Sequence, residues 1–187
     1  MRLELIADLH LFSENEISCS LTPRNHNQYL LGDIVDMANV SAKDLETAKA
    51  VLYKLMADFG PNFIPGNHER LTAINETRII QTENGKIILA HGDFESWGED
   101  KAMAYRRRPW GAKWFKRNIL VRAIDDYEHH FKRNFSIDFR NRAGALALRN
   151  GCGTYICGHL HPKEMIDIVH NGIRLIVLKR GKTVLDL

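Results

Sequence analysis

Five short clusters of ligand-type side chains mark this sequence: Asp8-Leu9-His10, Gly32-Asp33 with Asp36 three residues on, Gly66-Asn67-His68-Glu69, His91-Gly92-Asp93, and Gly158-His159-Leu160-His161. Carboxylate, imidazole and amide oxygen suit borderline divalent ions such as Mn, Fe or Zn, and the lack of thiolate argues against a purely structural zinc. Two such ions about 3.5–4 Å apart need a bridging carboxylate, and each needs further oxygen and nitrogen donors to anchor it. The bridged pair lowers the pKa of a shared water and yields hydroxide near neutral pH. That hydroxide attacks phosphorus in line while the ions hold the phosphate oxygens. Any one cluster is a weak signal. All five, each placed where a strand-like run ends, point together to two-metal hydrolysis of a phosphoester. Glycines beside the ligands let the backbone turn sharply and come close to the ions.

In this order the clusters resemble the calcineurin-like metallophosphoesterases. That family's D-x-H, G-D, G-N-H-E, H-G and G-H-x-H motifs run here from Asp8 to His161, most of the chain. The resemblance implies that Asp8, His10 and His161 bind one metal and that Asn67, His91 and His159 bind a second, with Asp33 bridging them. It implies two divalent ions, Mn²⁺ first and Fe²⁺/Fe³⁺ or Zn²⁺ as alternatives. It makes His68 the proton donor to the leaving oxygen, or a stabiliser of transition-state charge. Asp36 and Asp93 are expected to orient ligands from behind, and Glu69 to cap or brace a loop. His26, His129, His130 and His170 match no motif and are read as surface or packing groups.

The elements that must position these groups can be read from the same sequence. Residues 2–8 alternate like a strand, 12–27 are polar and irregular, and 28–31 form a short second strand. Over 43–59, Leu45, Ala48, Leu52, Leu55, Met56 and Phe59 recur at helical spacing, with Ser41 and Asp44 as a capping box and Gly60-Pro61 as the stop. Residues 62–65 make a strand into Gly66. Asn84-Gly85 predicts a hairpin between 77–81 and 86–90, and Asn171-Gly172 predicts another between 163–169 and 173–178. Strands 154–157 and 183–187 complete the set. Between them, 99–149 reads as helical, with Pro109 separating a first helix from a longer one. Leu120, Ile124, Tyr127, Phe131 and Phe135 give that longer helix one apolar face. The expected fold is an α/β metallophosphoesterase-type αββα sandwich, a single domain over 1–187 with a basic helical insertion at about 99–149.

Charge singles out that insertion. Residues 101–142 hold twelve Lys and Arg against four acids, a net of +8, whereas the whole chain carries only +3. The remainder is therefore net acidic. Within 105–117, Arg106, Arg107, Arg108, Trp110 and Trp114 interleave cations with aromatics, which suits an anionic substrate with an apolar part; the plainer reading is that the aromatics pack the insertion down. The position of the insertion resembles the helical cap of UDP-2,3-diacylglucosamine pyrophosphatases, although His68-Glu69 follows the general phosphatase form. Protein Ser/Thr phosphatases carry Arg where this chain has Met37. Three functions remain open. The first is hydrolysis of a phosphomonoester or pyrophosphate in a small or lipid-linked molecule. The second is a nuclease or cyclic-nucleotide phosphodiesterase. The third is a non-catalytic metal-binding scaffold.

A length of 187 residues with 44% hydrophobic and 26% charged composition suits one globular domain and excludes a fibre or a disordered chain. The opening residues alternate instead of forming a signal core, and no apolar run approaches 18 residues. The expected location is the cytoplasm, with contact at the inner face of a membrane left open. Cys19, Cys152 and Cys157 are an odd set and read as reduced thiols. The Cys152–Cys157 gap fits a zinc pair, yet no second pair follows.

Overall fold

Alternation in the first strand divides its side chains between two cores. In β1 (Arg2–Ala7), Leu3, Leu5 and Ala7 face one way and Ile6 the other. The computed structural model describes residues 1–11, 21, 26–38, 40, 43–71, 76–108 and 135–187. It pairs β1 in parallel with β2 (Gln28–Leu31), and β2 in parallel with β3 (Phe63–Ile64). The last strand, β9 (Gly181–Asp186), closes the other edge antiparallel to β1. A second sheet runs β4 (Thr77–Thr82), β5 (Gly85–Ala90), β6 (Thr154–Cys157), β8 (Ile173–Val177), β7 (Ile166–His170). Its three middle strands are parallel and its edges antiparallel.

The sheets bury Leu3, Leu5, Leu31, Ile64, Leu89, Ile156 and Ile176 between them. Helix α1 (Leu45–Phe59) lays Ala48, Val51, Leu52, Leu55 and Phe59 on the outer face of the first sheet. Two short helices follow β5, α2 (Asp93–Trp97) and α3 (Glu99–Arg106). Helix α4 (Ile137–Arg149) packs Phe139, Ala143 and Ala147 against Ile88, Tyr155, Leu175 and Val177 on the outer face of the second sheet. Four layers result, the αββα sandwich expected from the sequence. α4, the last helix of the stretch read as an insertion, forms one of those layers. Pro109, Trp110, Trp114 and the Leu120–Phe131 part of the apolar face lie outside the described residues, as do Ser41, Cys19, His129 and His130. No helix among the described residues is long and apolar enough to cross a membrane.

Two local expectations need correction. Helix α1 begins at Leu45 with Asp44 as its N-cap residue, so Asp44 is not at the third helical position that a capping box on Ser41 requires. The first hairpin turns at Glu83-Asn84, one residue earlier than the Asn-Gly pair suggests, because Thr82 pairs with Gly85. The Thr82 hydroxyl holds this corner: it accepts from the Asn84 amide (3.2 Å) and donates to the Gly85 carbonyl (2.7 Å). Only Gly85 then needs positive φ. The second hairpin turns on Asn171-Gly172 as expected, both residues at positive φ.

Candidate metal centre

Each ligand cluster follows the C-terminal end of a parallel strand: β1, β2 and β3 in one sheet, β5 and β6 in the other. Parallel strands send their following loops to the same edge, so five loops meet at one end of the sandwich. Backbone bonds lace the first two loops together. The Asp8 amide donates to Gly32 O (3.0 Å), and the His10 amide to Asp33 O (2.8 Å). Bonds also cross between the sheets. The His159 amide donates to the Asp8 carboxylate (2.9 Å), and His91 Nδ1–H donates to Leu31 O (2.9 Å).

The backbone is strained where the donors are. Of seven non-glycine residues at positive φ among the described residues, five are predicted ligands: Asp8, His10, Asp33, His159 and His161. Each such conformation costs on the order of 1–3 kcal/mol and survives only where surrounding bonds enforce it. Close packing enforces it here. A Cβ at Gly66 would lie 2.3 Å from Asp33 Oδ1, and one at Gly158 would lie 2.6 Å from Asp8 Oδ2. Only glycine leaves room for those carboxylates.

Among the described residues the side chains gather in three groups. Asp8, His10 and His161 form the first, Asp33, His91 and His159 the second, and His10, Asp36 and His68 the third, each with its donor atoms within 4.8 Å of one another. In the first, His161 Nε2 lies 3.2 Å from Asp8 Oδ1 and 3.5 Å from His10 Nε2. In the second, His91 Nε2 lies 3.4 Å from Asp33 Oδ2 and 3.0 Å from Asn67 Oδ1. A carbonyl can only accept, so the bond to Leu31 O fixes a proton on Nδ1 and turns Nε2 inward, toward Asp33 and Asn67. Oxygen and nitrogen atoms converging at such distances, with no thiolate among them, fit divalent ions. The buried thiols lie elsewhere: Cys157 packs in the core under α4.

His68 belongs to the third group and sits beside the other two. Its Nδ1–H donates to Asp36 Oδ1 (2.6 Å), its Nε2 lies 4.0 Å from Asp33 Oδ2, and its ring centroid is 4.6 Å from that of His10. Asp36 therefore fixes the ring of His68, a residue outside the predicted ligand set. Burial disfavours a charged His68 ring, but Asp33 and Asp36 outweigh it and hold the pKa at about 9. Burial likewise opposes a charge on His91, and Asp33 again prevails, at about 10. Asp33 is held well below the usual carboxylate range: burial would raise it, and His91 and His68 more than compensate. His10 is shifted down, chiefly by burial.

Glu69 is the brace the sequence suggested. Its buried carboxylate accepts four backbone N–H groups, from Asp33 (2.8 Å), Ile34 (2.6 Å), Val35 (3.0 Å) and Gly66 (2.7 Å). It thereby clamps the loop carrying Asp33 to the loop carrying Asn67. In Glu69→Gln one oxygen becomes an NH₂ that faces a donor. The expected loss is about 2–3 kcal/mol of stability, the scale of hydrogen bonds to a charged group, read as a lower thermal midpoint.

Arg106 and Asp93 depart from their expected roles. Arg106, read as substrate-facing, is 3% exposed and grips Asp93 through Nε and Nη2, both at 2.8 Å, while Nη2 also donates to Pro65 O (3.2 Å). Asp93 pairs with this cation and not with a ligand ring. The pair joins the loop after His91 to the residue before Gly66, so it supports the Asn67/His91 side of the site from beneath. Arg106→Met would leave Asp93 charged and buried without a partner. Such a break costs about 3–5 kcal/mol and should appear as a lower urea midpoint at unchanged slope. Arg107 and Arg108 are exposed at the end of α3. Trp110 and Trp114 fall outside the described residues.

Trp97 and Arg70, neighbours of the site, escaped the sequence reading, while Tyr105 opens the cationic and aromatic run 105–117. Trp97 lies 4.8 Å from the His159 ring, Tyr105 lies 5.2 Å from Trp97, and Arg70 stacks on Tyr105. The available signals were faint: Arg70 directly follows the Asn67-His68-Glu69 run, and Trp97 is four residues after Asp93. Of the motif-free histidines, His170 bonds Asn141 of α4 (2.9 Å) and His26 offers its carbonyl to Asn62 (3.1 Å), both packing roles.

The chain is similar to several solved structures. One is a Vps29 single mutant from Entamoeba histolytica (17% identity, TM-score 0.45, covering 96% of this chain and 74% of that one). Another is a conserved uncharacterized protein from Streptococcus pneumoniae described as a predicted phosphoesterase (14%, 0.47, 96% and 72%). A third is a dimetal phosphatase from Danio rerio (14%, 0.47, 98% and 91%). No function follows from likeness at this level. Among curated proteins none matches. The family model for calcineurin-like phosphoesterase matches residues 1–163, a span that takes in all five loops and every predicted ligand. The chain belongs to the calcineurin-like phosphoesterase family.

Proposed function

We propose that this chain hydrolyses a phosphomonoester or pyrophosphate in a small or lipid-linked anionic molecule, with two divalent ions and Mn²⁺ as the first candidate. The supporting observation is that two carboxylate–imidazole groups, Asp8/His10/His161 and Asp33/His91/His159, stand at one end of the sandwich with His68 against them. Divalent ions bound there would supply Lewis acidity, acidifying water and neutralising phosphate oxygens. The chain's residues would do the rest. Asp33 would serve both ions, Asn67 would add an amide oxygen to the second, and Leu31 O would keep His91 Nε2 inward. His68, fixed through Nδ1 by Asp36, would present Nε2–H to the leaving oxygen.

The +8 charge over 101–142 favours a second reading, a diesterase acting on nucleic acid. A hydrolysis panel with added Mn²⁺ separates the two. It holds aryl mono- and diesters, a UDP-linked lipid, cyclic nucleotides and single-stranded DNA. Turnover of the monoester or the UDP-linked lipid is expected. Turnover of diesters alone, falling steeply with salt, would transfer the chain to the nucleases and phosphodiesterases. Two bound ions with no turnover of any member would make it a scaffold. A lipid-linked substrate would bring the chain to an anionic membrane face, and its turnover would then depend on detergent or vesicles.

A further inference from the structure

Tyr105, near the end of α3, holds a guanidinium from each of two separate segments against its ring. Cζ of Arg70 lies 4.8 Å from the ring centroid and Cζ of Arg108 lies 5.2 Å from it. Arg108 is a near neighbour in sequence, but Arg70 comes from the loop that carries Asn67 and His68. Its own backbone is left-handed (φ 51°), directly after the Glu69 brace. The Tyr105 ring stands 6.3 Å from that of His68 and 5.2 Å from Trp97, which in turn stands 4.8 Å from His159. Trp97 and Tyr105 thus form an aromatic wall from one end of the metal centre to the other. Lys101 adds a third cation, 5.7 Å from the Trp97 ring.

Ring faces attract cations, and Tyr105 thereby holds two guanidiniums close to the centre, where a substrate's phosphates must come. Guanidinium presents a planar fork of donors that matches phosphate oxygens, and it remains charged at every accessible pH. The place is as informative as the charge. These groups lie beside His68, the residue that faces the leaving oxygen, and so on the leaving-group side of the centre.

We propose that Arg70, Tyr105 and Arg108 form an anion subsite for a second phosphate, on the leaving-group side of the phosphorus that is attacked. This deepens the hydrolase reading and rests on it: the preferred substrate is a pyrophosphate-linked molecule and not a simple monoester. Water adds to one phosphorus and gives up a proton to solvent, the bond from that phosphorus to the bridging oxygen breaks, and that oxygen leaves on the second phosphate. The leaving oxygen takes a proton from His68 Nε2 while Arg70 and Arg108 hold the remaining charge. Trp97 and Tyr105 supply a flat surface for whatever that phosphate carries.

The test compares two ligands that differ by one phosphate. ADP and AMP are titrated calorimetrically into the full-length protein at a fixed free Mn²⁺ concentration, and both are run as competitive inhibitors of p-nitrophenyl phosphate hydrolysis. ADP should bind about tenfold or more tighter than AMP, the scale of one charge-assisted hydrogen bond. Arg108→Gln, at an exposed position, and Arg70→Gln should each remove most of that preference. Tyr105→Phe, which keeps the ring, should retain most of it. Equal binding of ADP and AMP by the parent would overturn the subsite, and so would an equal loss of both ligands in Arg108→Gln. If p-nitrophenyl phosphate and the rest of the panel go unhydrolysed, the hydrolase reading fails, and the calorimetric preference shows separately whether the anion subsite exists.

Discussion

Asp33→Asn is expected to abolish Mn²⁺-dependent hydrolysis of an aryl phosphate, by at least about 10³-fold, while leaving the protein folded. The size follows from what one carboxylate does here. Its Oδ2 faces His91 Nε2 at 3.4 Å and His68 Nε2 at 4.0 Å, and its Oδ1 accepts the His68 backbone N–H at 2.7 Å. Asparagine has the same shape, so the bond from the Asp33 amide to Glu69 and the turn after β2 should survive. It lacks the negative charge that a pair of divalent cations needs between them. Lewis-acid stabilisation by such ions is worth several kcal/mol, and about 1.4 kcal/mol corresponds to a factor of ten in rate. The same substitution should lower metal content, measured by elemental analysis of the purified protein, while the circular dichroism spectrum is unchanged. Turnover within a few-fold of the parent would remove Asp33 from its bridging role.

The candidate donor residues could be picked out from sequence because each cluster is a local event. A strand that must end in a tight turn beside a cation leaves a short signature, glycine next to a donor residue, and five such signatures need no knowledge of tertiary packing. Helix α1 was legible for a similar reason: its face repeats every three or four residues and buries on one sheet. What stayed hidden depends on contacts between distant segments. Arg106 sits in a run of three arginines that looks like a solvated patch, and its burial follows from Asp93, thirteen residues earlier, and from the Pro65 carbonyl. Nothing in the local pattern distinguishes it from Arg107 or Arg108, which are exposed. The wall of Trp97 and Tyr105 is likewise a product of how α2 and α3 fold back over the loops. The misplaced hairpin turn has a smaller cause, one threonine hydroxyl at Thr82 that outcompetes the Asn-Gly preference.

His68→Ala should separate catalysis from metal binding, keeping both ions while lowering turnover by roughly 10²-fold or more, the range of a general acid. The ring lies outside the Asp8/His10/His161 and Asp33/His91/His159 groups, while His10, Asp36 and His68 form a third: Asp36 holds its Nδ1, and Nε2 lies 4.0 Å from Asp33 Oδ2. Alanine leaves the His68 backbone N–H on Asp33 Oδ1, so Asp33 keeps that support. The loss should depend on the leaving group. p-Nitrophenolate departs without a proton, so its ester should suffer less than phenyl phosphate, whose leaving oxygen needs one. Equal losses on both esters would make His68 a stabiliser of transition-state charge and not the proton donor. The pH profile gives the sign independently. Asp33 and Asp36 raise the pKa of His68 to about 9 against the effect of burial, so the proton-donating form persists through neutral pH and is lost as pH rises past that value. Bound cations near Asp33 would move the transition to lower pH without reversing it. The parent should therefore show an alkaline fall in kcat that His68→Ala lacks. If the variant instead loses both metals, His68 is a ligand, and the proton must come from another group or from water.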